Sequence, residues 1–209
     1  MEIELKNLQF ETISLQKSSD FWNQSVKFPS GGKFLLKAIS GSGKTTAISL
    51  LYGLRKDYTG QVLIDGCDIK NLSPAEWSIM RRTKISIVFQ ELKLFDQLTA
   101  EENLRIKLQL TNIPDKILEY SERLGMREHL QKKVKILSVG QKQRIAIIRS
   151  LLQPFDYLLL DEPFSHLDPE NTQNACALID EVCSEQQAGL ILTSLHDLHH
   201  MKYNSILAL

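Results

Sequence analysis

The chain has 209 residues, and 25 Lys and Arg residues balance 25 Asp and Glu residues, which gives a formal net charge of +0 at pH 7. This length suits one domain with a substantial core. Zero net charge argues against a protein that binds nucleic acid through its overall charge. The sequence has no apolar signal-peptide core and no apolar run of about eighteen residues, so we expect a chain that is neither secreted nor membrane-spanning by itself. Its three cysteines lack metal-type spacing, which favours reduced thiols in a cytosolic protein.

The N-terminal part of the chain predicts a β-rich entry to a nucleotide-binding core. Alternating and apolar patterns predict strands at residues 2–10, 21–28 and 33–39, with a Pro-Ser-Gly-Gly turn before the third. After the first helix, residues 60–64 and the Asp-Gly pair that follows them predict a further hairpin.

A glycine-rich turn between the third strand and the first helix has the composition of a phosphate site. Gly41 and Gly43 allow backbone N–H groups to converge on a phosphate, and Lys44 would lie over its outer oxygens. The Thr45 hydroxyl would ligate Mg²⁺, and the helix start adds its positive dipole end. Ala38 departs from the P-loop pattern, which expects glycine there. The predicted phosphate-binding residues are Ser40, Gly41, Ser42, Gly43, Lys44, Thr45 and Thr46.

The middle of the chain predicts a helical insert within an α/β core. A Ser-Pro-Ala-Glu capping box opens a short helix at Ser73, and an apolar strand at 85–89 ends at Gln90. Between residues 91 and 135 helix signals replace strand signals, with a second capping box at Thr99 and a helix that stops near Gly125. We expect one domain over residues 1–209, with a helical subdomain at approximately 91–140.

An apolar strand at 157–160 ends in two adjacent carboxylates, Asp161 and Glu162. Parallel strands present their carboxyl ends to ligands, so Asp161 is placed to hold Mg²⁺. Glu162 is placed to orient or deprotonate an attacking water. Further strands at 190–193 and 205–209, separated by helices, predict a parallel sheet that helices cover on both faces.

Ser138 is the predicted cap of a long amphipathic helix that ends before Pro154. A capped helix start is a second potential anion site. Because the Lys44 loop already provides one phosphate cradle, this second one makes sense if it closes over the nucleotide of another copy. Simple helix capping is the other interpretation.

The motifs stand in a characteristic order: AISGSGKTT at 38–46, Gln90, LSVGQ at 137–141, LLLDE at 158–162, SHLD at 165–168 and His196. In order and spacing they resemble those of ABC-type ATPases, over essentially the whole chain, and LSVGQ is the discriminating piece. The resemblance implies an α/β P-loop NTPase core with a RecA-like parallel sheet, an N-terminal antiparallel β-subdomain and an inserted helical subdomain. It also implies ATP and Mg²⁺ as ligands.

The same resemblance implies a head-to-tail dimer. Ser138 and Gly140, with Gln141 beside them, would contact the γ-phosphate bound at Lys44 of the other copy. Gln90 would sense Mg²⁺ and the attacking water. His196 would contact the γ-phosphate, and Asp168 would cross the interface.

Two further positions depart from the family pattern. Val139 replaces the glycine of the family's LSGGQ, and we expect at most slower dimer closure from it. Thr12 stands where the family usually stacks a tyrosine on adenine, and Phe10, Phe21 or Trp22 are candidate replacements.

Residues 72–104 resemble the ATPases of lipoprotein-releasing and macrolide-export transporters. This implies an integral membrane partner, a location on the cytoplasmic face of the cell membrane, and export or extraction from the membrane. Leu92, Leu94 and Phe95 would line the pocket for the membrane subunit, and no nucleic acid partner is expected. The alternatives are a soluble ABC ATPase of cofactor (iron–sulfur) assembly and a P-loop kinase or GTPase.

Overall fold

The computed structural model describes residues 1–10, 19–37, 41–108, 115–195 and 200–209. Thr12, Ala38, Ser40 and His196 lie outside these ranges. The described strands, in chain order, are β1 (Ile3–Gln9), β2 (Ser25–Phe28), β3 (Lys33–Lys37), β4 (Thr59–Ile64), β5 (Cys67–Asp68), β6 (Ile85–Val88), β7 (Tyr157–Asp161), β8 (Gly189–Ser194) and β9 (Ser205–Ala208). The described α-helices are α1 (Lys44–Leu51), α2 (Pro74–Thr83), α3 (Ala100–Leu108), α4 (Asp115–Arg123), α5 (Val139–Leu151) and α6 (Pro169–Glu185).

The strands form two sheets, as the sequence predicts. A five-stranded sheet has the order β6-β7-β8-β3-β9, and its neighbouring strands run parallel. A four-stranded antiparallel sheet has the order β2-β1-β4-β5. The predicted hairpin after β4 is confirmed, because Asp65 and Gly66 both take positive φ values, 48° and 81°, in the turn between β4 and β5. The α/β fold class is therefore confirmed.

The predicted strand at 21–28 is four residues too long, since β2 begins at Ser25. The Ser19 hydroxyl accepts hydrogen bonds from the backbone N–H groups of Phe21 and Trp22, and Asn23 has a φ of 57°. These local bonds offer the backbone a turn in place of a sheet ladder. The aromatic residues that suggested a strand here are instead buried in a bend.

The parallel sheet separates two hydrophobic clusters. Every residue of β7 is buried, and its side chains alternate between the clusters. Leu158 and Leu160 pack with residues of α5 and α6, while Tyr157 and Leu159 belong to the cluster that contains α1 and the antiparallel sheet. A strand that is covered on both faces has an apolar sequence without alternation, as β7 does. The polar residues at the end of β7 therefore lie at the edge of the core.

Capping bonds fix where the helices begin. Ser73 and Glu76 form the predicted reciprocal capping box of α2. Thr99 Oγ1 accepts from the Glu102 N–H at 3.1 Å, and Glu102 Oε2 accepts from the Thr99 N–H at 2.7 Å, at the start of α3. The predicted stop near Gly125 agrees with the end of α4 at Arg123 and with a φ of 61° at Gly125.

Candidate functional site

The phosphate loop has the backbone that its glycines predict. Gly41 and Gly43 have φ values of 85° and 94°, in the left-handed region that glycine adopts without steric cost. Gly43 is the N-cap of α1, and among the described side chains none caps this helix start. The first N–H groups of α1 are therefore placed to bind an anion.

Neighbouring residues hold this loop in place. Lys44 begins α1 and Thr46 lies in its first turn. The indole N–H of Trp22 donates to the Ser42 carbonyl at 3.2 Å, and both side chains are buried. The loop is thus attached to the aromatic part of the core through a backbone atom.

Lys44 and Glu162 form an ion pair at the carboxyl end of β7. Their N–O distance is 3.2 Å, and the side chains are only 8% and 14% exposed. Glu162 has a φ of 48°, a left-handed value that costs about 1–3 kcal/mol in a residue other than glycine. Its backbone N–H donates to the Thr193 carbonyl at 3.2 Å, which holds this turn at the end of the strand.

A second polar group lies beside this ion pair and suits Mg²⁺. Thr45 Oγ1 donates to Gln90 Oε1 at 3.1 Å, and Thr193 Oγ1 donates to Asp161 Oδ1 at 2.8 Å. Asp161 is 1% exposed, and burial raises its pKa, against the opposing effect of hydrogen bonds from Thr193 and Thr45. A buried carboxylate of this kind is stabilised by a cation, and oxygen donors are those that Mg²⁺ prefers.

A cavity of about 270 Å³ opens next to these oxygen atoms, and Thr45, Gln90 and Asp161 line part of it. Among the described residues, no group of three or more His, Cys, Asp or Glu side chains is arranged to hold a metal by itself. One carboxylate combined with phosphate oxygens is the usual way in which nucleotide-binding proteins hold Mg²⁺. The residues present therefore fit Mg²⁺ together with a bound nucleotide.

The LSVGQ segment forms the start of α5 through a capping box. Ser138 Oγ accepts from the Gln141 N–H at 3.2 Å, and Gln141 Oε1 accepts from the Ser138 N–H at 2.9 Å. The Gln141 amide nitrogen also lies 3.0 Å from Nε2 of His129. A Cβ atom on Gly140 would come within 2.8 Å of the His166 carbonyl, so only glycine allows this close approach. The side chains of Ser138 and Gln141, which the resemblance predicts to face a second copy, are hydrogen-bonded at the start of their own helix.

Gln143 joins α5 to the loop that follows Glu162, and the sequence interpretation assigned it no role. Its side chain is 2% exposed. Its Nε2 donates to the Glu162 carbonyl at 3.1 Å and to Ser165 Oγ at 3.3 Å, while its Oε1 accepts from the His166 N–H at 3.0 Å. The sequence does contain an indication of this role, because Gln143 is an amide on the otherwise apolar face of α5 and a buried amide needs hydrogen-bond partners.

Asp168 serves as the N-cap of α6. Its Oδ1 accepts from the Asn171 N–H at 2.8 Å and its Oδ2 from the Asn171 side chain at 2.7 Å. These hydrogen bonds lower the pKa of Asp168. The residue is exposed, and its carboxylate is charged and fixed in direction.

The candidates for adenine stacking are buried. Phe10, Phe21 and Trp22 are 4%, 0% and 3% exposed, and Trp22 makes edge-on contacts with both phenylalanines. In this arrangement no ring presents a free face to a base. The structure therefore does not favour any of these three candidates as a replacement for the usual tyrosine, because their rings fill the core beneath the antiparallel sheet.

The parallel sheet, the glycine turn before α1 and the oxygen atoms around Asp161 together define a P-loop nucleoside triphosphatase. The profile of the family described as ABC transporter matches residues 21–165. The chain is 36% identical over 191 residues to the thiamine import ATP-binding protein ThiQ of Histophilus somni, with 87% of this chain and 86% of that protein covered. The chain belongs to the ABC transporter family of ATP-binding proteins.

Other relatives agree with this membership. The methionine import ATP-binding protein MetN of Haemophilus ducreyi is 36% identical over 208 residues, and the chain spans 59% of that protein's length. Two structures of the bacterial ABC transporter cassette MJ0796 match with a TM-score of 0.81 and 26% identity. The match to the dimeric structure covers 93% of this chain and 88% of that one. The match to a post-hydrolysis state with ADP and Pi bound covers 95% and 89%.

The chain is therefore an ATPase that uses ATP and Mg²⁺. ThiQ and MetN are named as import ATP-binding proteins, so the predicted likeness to lipoprotein-releasing and macrolide-export ATPases stays a prediction. Within the described ranges, no helix combines the length and the apolar character needed to cross a membrane.

Proposed function

We propose that this chain is the ATP-hydrolysing motor subunit of a membrane transporter. The main observation in support is that Lys44, Gln90 and Glu162 follow three different strands of the parallel sheet and lie together at its carboxyl edge. A ligand crevice outside the carboxyl ends of parallel strands is the usual site in such sheets.

Each polar group at this edge has a proposed role in hydrolysis. Residues 40–46 cradle the phosphates, while Thr45, Gln90 and Asp161 hold Mg²⁺. When bound there, Mg²⁺ would supply positive charge that offsets the charge developing on the phosphate during transfer. Glu162 exchanges its partner Lys44 for the attacking water and orients or deprotonates that water, while Lys44 turns to the phosphate. His196 contacts the γ-phosphate in this proposal.

The proposed active unit is a head-to-tail dimer. Ser138, Gly140 and Gln141 of one copy contact the nucleotide held by the other, and Asp168 lies at the interface. Two observations support this arrangement. The side chains of Ile136 and Val139, which flank Ser138, are 65% and 52% exposed, and a second copy would cover this apolar surface. The cassette MJ0796, which this chain resembles, is described as dimeric.

The proposed membrane partner binds at the segment that follows Gln90. Phe95 is 56% exposed, although its backbone is fixed by two hydrogen bonds with the buried side chain of Asn103. An exposed aromatic side chain on a fixed backbone is suited to anchor a protein partner. This binding would place the single ABC ATPase domain, 1–209 with its helical subdomain at about 91–140, on the cytoplasmic face of the membrane.

Two directions of transport have support. The resemblance of residues 72–104 favours export or lipoprotein extraction, whereas the relatives ThiQ and MetN are named as import proteins. These relatives favour a transporter over the soluble cofactor-assembly alternative. Reconstituting the chain with its membrane subunit in vesicles, and measuring on which side cargo accumulates, would decide the direction.

The first test is an affinity pull-down from detergent-solubilised membranes of the native host. Tagged wild-type protein is compared with Phe95→Asp and with the control Leu118→Asp, whose side chain on α4 is 50% exposed. We expect mass spectrometry to identify a polytopic membrane protein with the wild type and the control, and not with Phe95→Asp. Recovery of soluble partners alone would contradict the proposal.

A further inference from the structure

The backbone directly after Gln90 is strained at two consecutive residues. Leu92 and Lys93 have φ values of 59° and 47°, in the left-handed region that disfavours side chains with a Cβ atom. Two turn bonds accompany this shape, from the Leu92 N–H to the Phe89 carbonyl at 2.9 Å and from the Lys93 N–H to the Glu91 carbonyl at 2.6 Å. Such a conformation persists only where surrounding contacts hold it.

Arg149, near the end of α5, makes those contacts. One guanidinium nitrogen donates to the Leu92 carbonyl at 2.7 Å and the other to the Lys93 carbonyl at 2.8 Å. A planar guanidinium fits two adjacent acceptors at once, whereas an ammonium group acts as a point charge. The acceptors of both guanidinium nitrogens are thus backbone carbonyl oxygens.

The position of this clamp connects two parts of the site. Gln90, whose side chain accepts from Thr45, is two residues before Leu92. At its other end, α5 begins with the Ser138 capping box. A single helix of 13 residues therefore reaches from the segment after Gln90 to the surface proposed to meet the second copy.

We infer that Arg149 is a positioning residue: its guanidinium holds the left-handed pair Leu92–Lys93 and so directs Gln90 toward Thr45 and Asp161. This role rests on the proposed function of Gln90 in hydrolysis. Its observed contacts are with backbone carbonyl oxygens, so Arg149 would act through the backbone that carries Gln90.

The test compares Arg149→Lys with wild type and with the control Arg105→Lys, whose guanidinium pairs with Glu101 within α3. We expect Arg149→Lys to lower kcat about tenfold and to change KM for ATP by less than about twofold, because the nucleotide contacts are intact. Arg105→Lys should match wild type. An unchanged kcat in Arg149→Lys would overturn the inference.

A second variant separates positioning from general support of the fold. Glycine adopts positive φ without cost, so Arg149→Lys combined with Lys93→Gly should regain about threefold in kcat over Arg149→Lys alone. The Lys93→Gly single variant provides the reference. If the double variant is as slow as Arg149→Lys, Arg149 does not act through the left-handed pair.

Amide hydrogen exchange without nucleotide gives a readout that does not depend on hydrolysis. We expect faster exchange at residues 92–95 in Arg149→Lys and unchanged exchange in α5. Faster exchange throughout α5 would indicate a structural role and overturn the inference. If wild-type protein hydrolysed no ATP, the proposed function would fail, while this experiment would still test the clamp.

Discussion

Lys44 and Arg149 are two largely enclosed cations with different kinds of partner. Lys44 faces the carboxylate of Glu162 at 3.2 Å, whereas Arg149 donates to two backbone carbonyl oxygens. A carboxylate partner can be exchanged for a phosphate, because both are anions and the ammonium group serves either. Carbonyl partners offer no such exchange. The first arrangement suits ligand binding, and the second suits the maintenance of a backbone shape.

The largest effect is expected from removing the charge of Glu162. We expect Glu162→Gln to lower the rate of ATP hydrolysis by about 10²–10⁴-fold, the usual contribution of a general base. Nucleotide binding should persist, and dimers should accumulate with saturating Mg-ATP in light scattering. A variant that hydrolyses ATP at the wild-type rate would refute the role of Glu162.

Removing the cation of the same pair should mainly weaken binding. Lys44→Met is expected to reduce ATP affinity about 10–100-fold, since a charge-assisted hydrogen bond contributes about 1.5–3 kcal/mol. Isothermal titration calorimetry would measure the change. Lys84→Met is the matched control, because Lys84 pairs with Asp156 at the opposite end of β7 and is 51% exposed. Equal losses in the two variants would contradict a specific phosphate contact.

A smaller effect is expected at Gln143, which links α5 to the Glu162 loop. Gln143→Ala should destabilise the fold by about 1–3 kcal/mol, because it leaves buried polar groups without partners. We also expect kcat to fall by about tenfold, through looser placement of Glu162. Urea unfolding and steady-state kinetics would be measured together. If stability falls and kcat does not, Gln143 supports the fold alone.

The smallest effect concerns Lys107, which senses the charge of Arg149. Burial and then the Arg149 charge lower its pKa from 10.5 to about 8. Between about pH 8 and 10.5 the unfolded chain binds this proton and the folded chain does not, so the contribution of Lys107 to stability should rise with pH across that window. The buried thiols of Cys176 and Cys183, whose pKa values burial raises to about 12, contribute in the opposite direction. The contribution of Lys107 is therefore measured as the difference in unfolding free energy between wild type and Lys107→Met, by chemical denaturation at each pH. In Arg149→Met the rise should begin at higher pH, and an unchanged onset would contradict the charge coupling.

The two cations also differ in how far the sequence predicts them. Lys44 follows a glycine turn whose spacing predicts phosphate binding. Asp161 and Glu162 follow an apolar strand, which predicts their position at the edge of the sheet. These groups converge because parallel strands present their carboxyl ends at one edge. The partners of Arg149 and Gln143 are mainly backbone atoms up to 57 residues away, and no sequence pattern encodes such a partner.

Local hydrogen bonds explain where the sequence-based fold was right and where it was wrong. The capping box at Ser73 and the cap at Ser138 were predictable because donor and acceptor lie within one helical turn. The strand predicted from Phe21 failed because the Ser19 hydroxyl bends the backbone there. The burial of Trp22 depends on packing between distant elements, which aromatic content alone does not specify.

The hydrogen bond from Trp22 to the Ser42 carbonyl makes tryptophan fluorescence a possible reporter of the glycine-rich turn. The sequence contains two tryptophans, Trp22 and Trp77, and both are buried. In a Trp77→Phe variant the remaining indole would be that of Trp22, which is hydrogen-bonded to the turn proposed to bind phosphate. A shift of its emission on addition of nucleotide would follow the loop in real time without any attached dye.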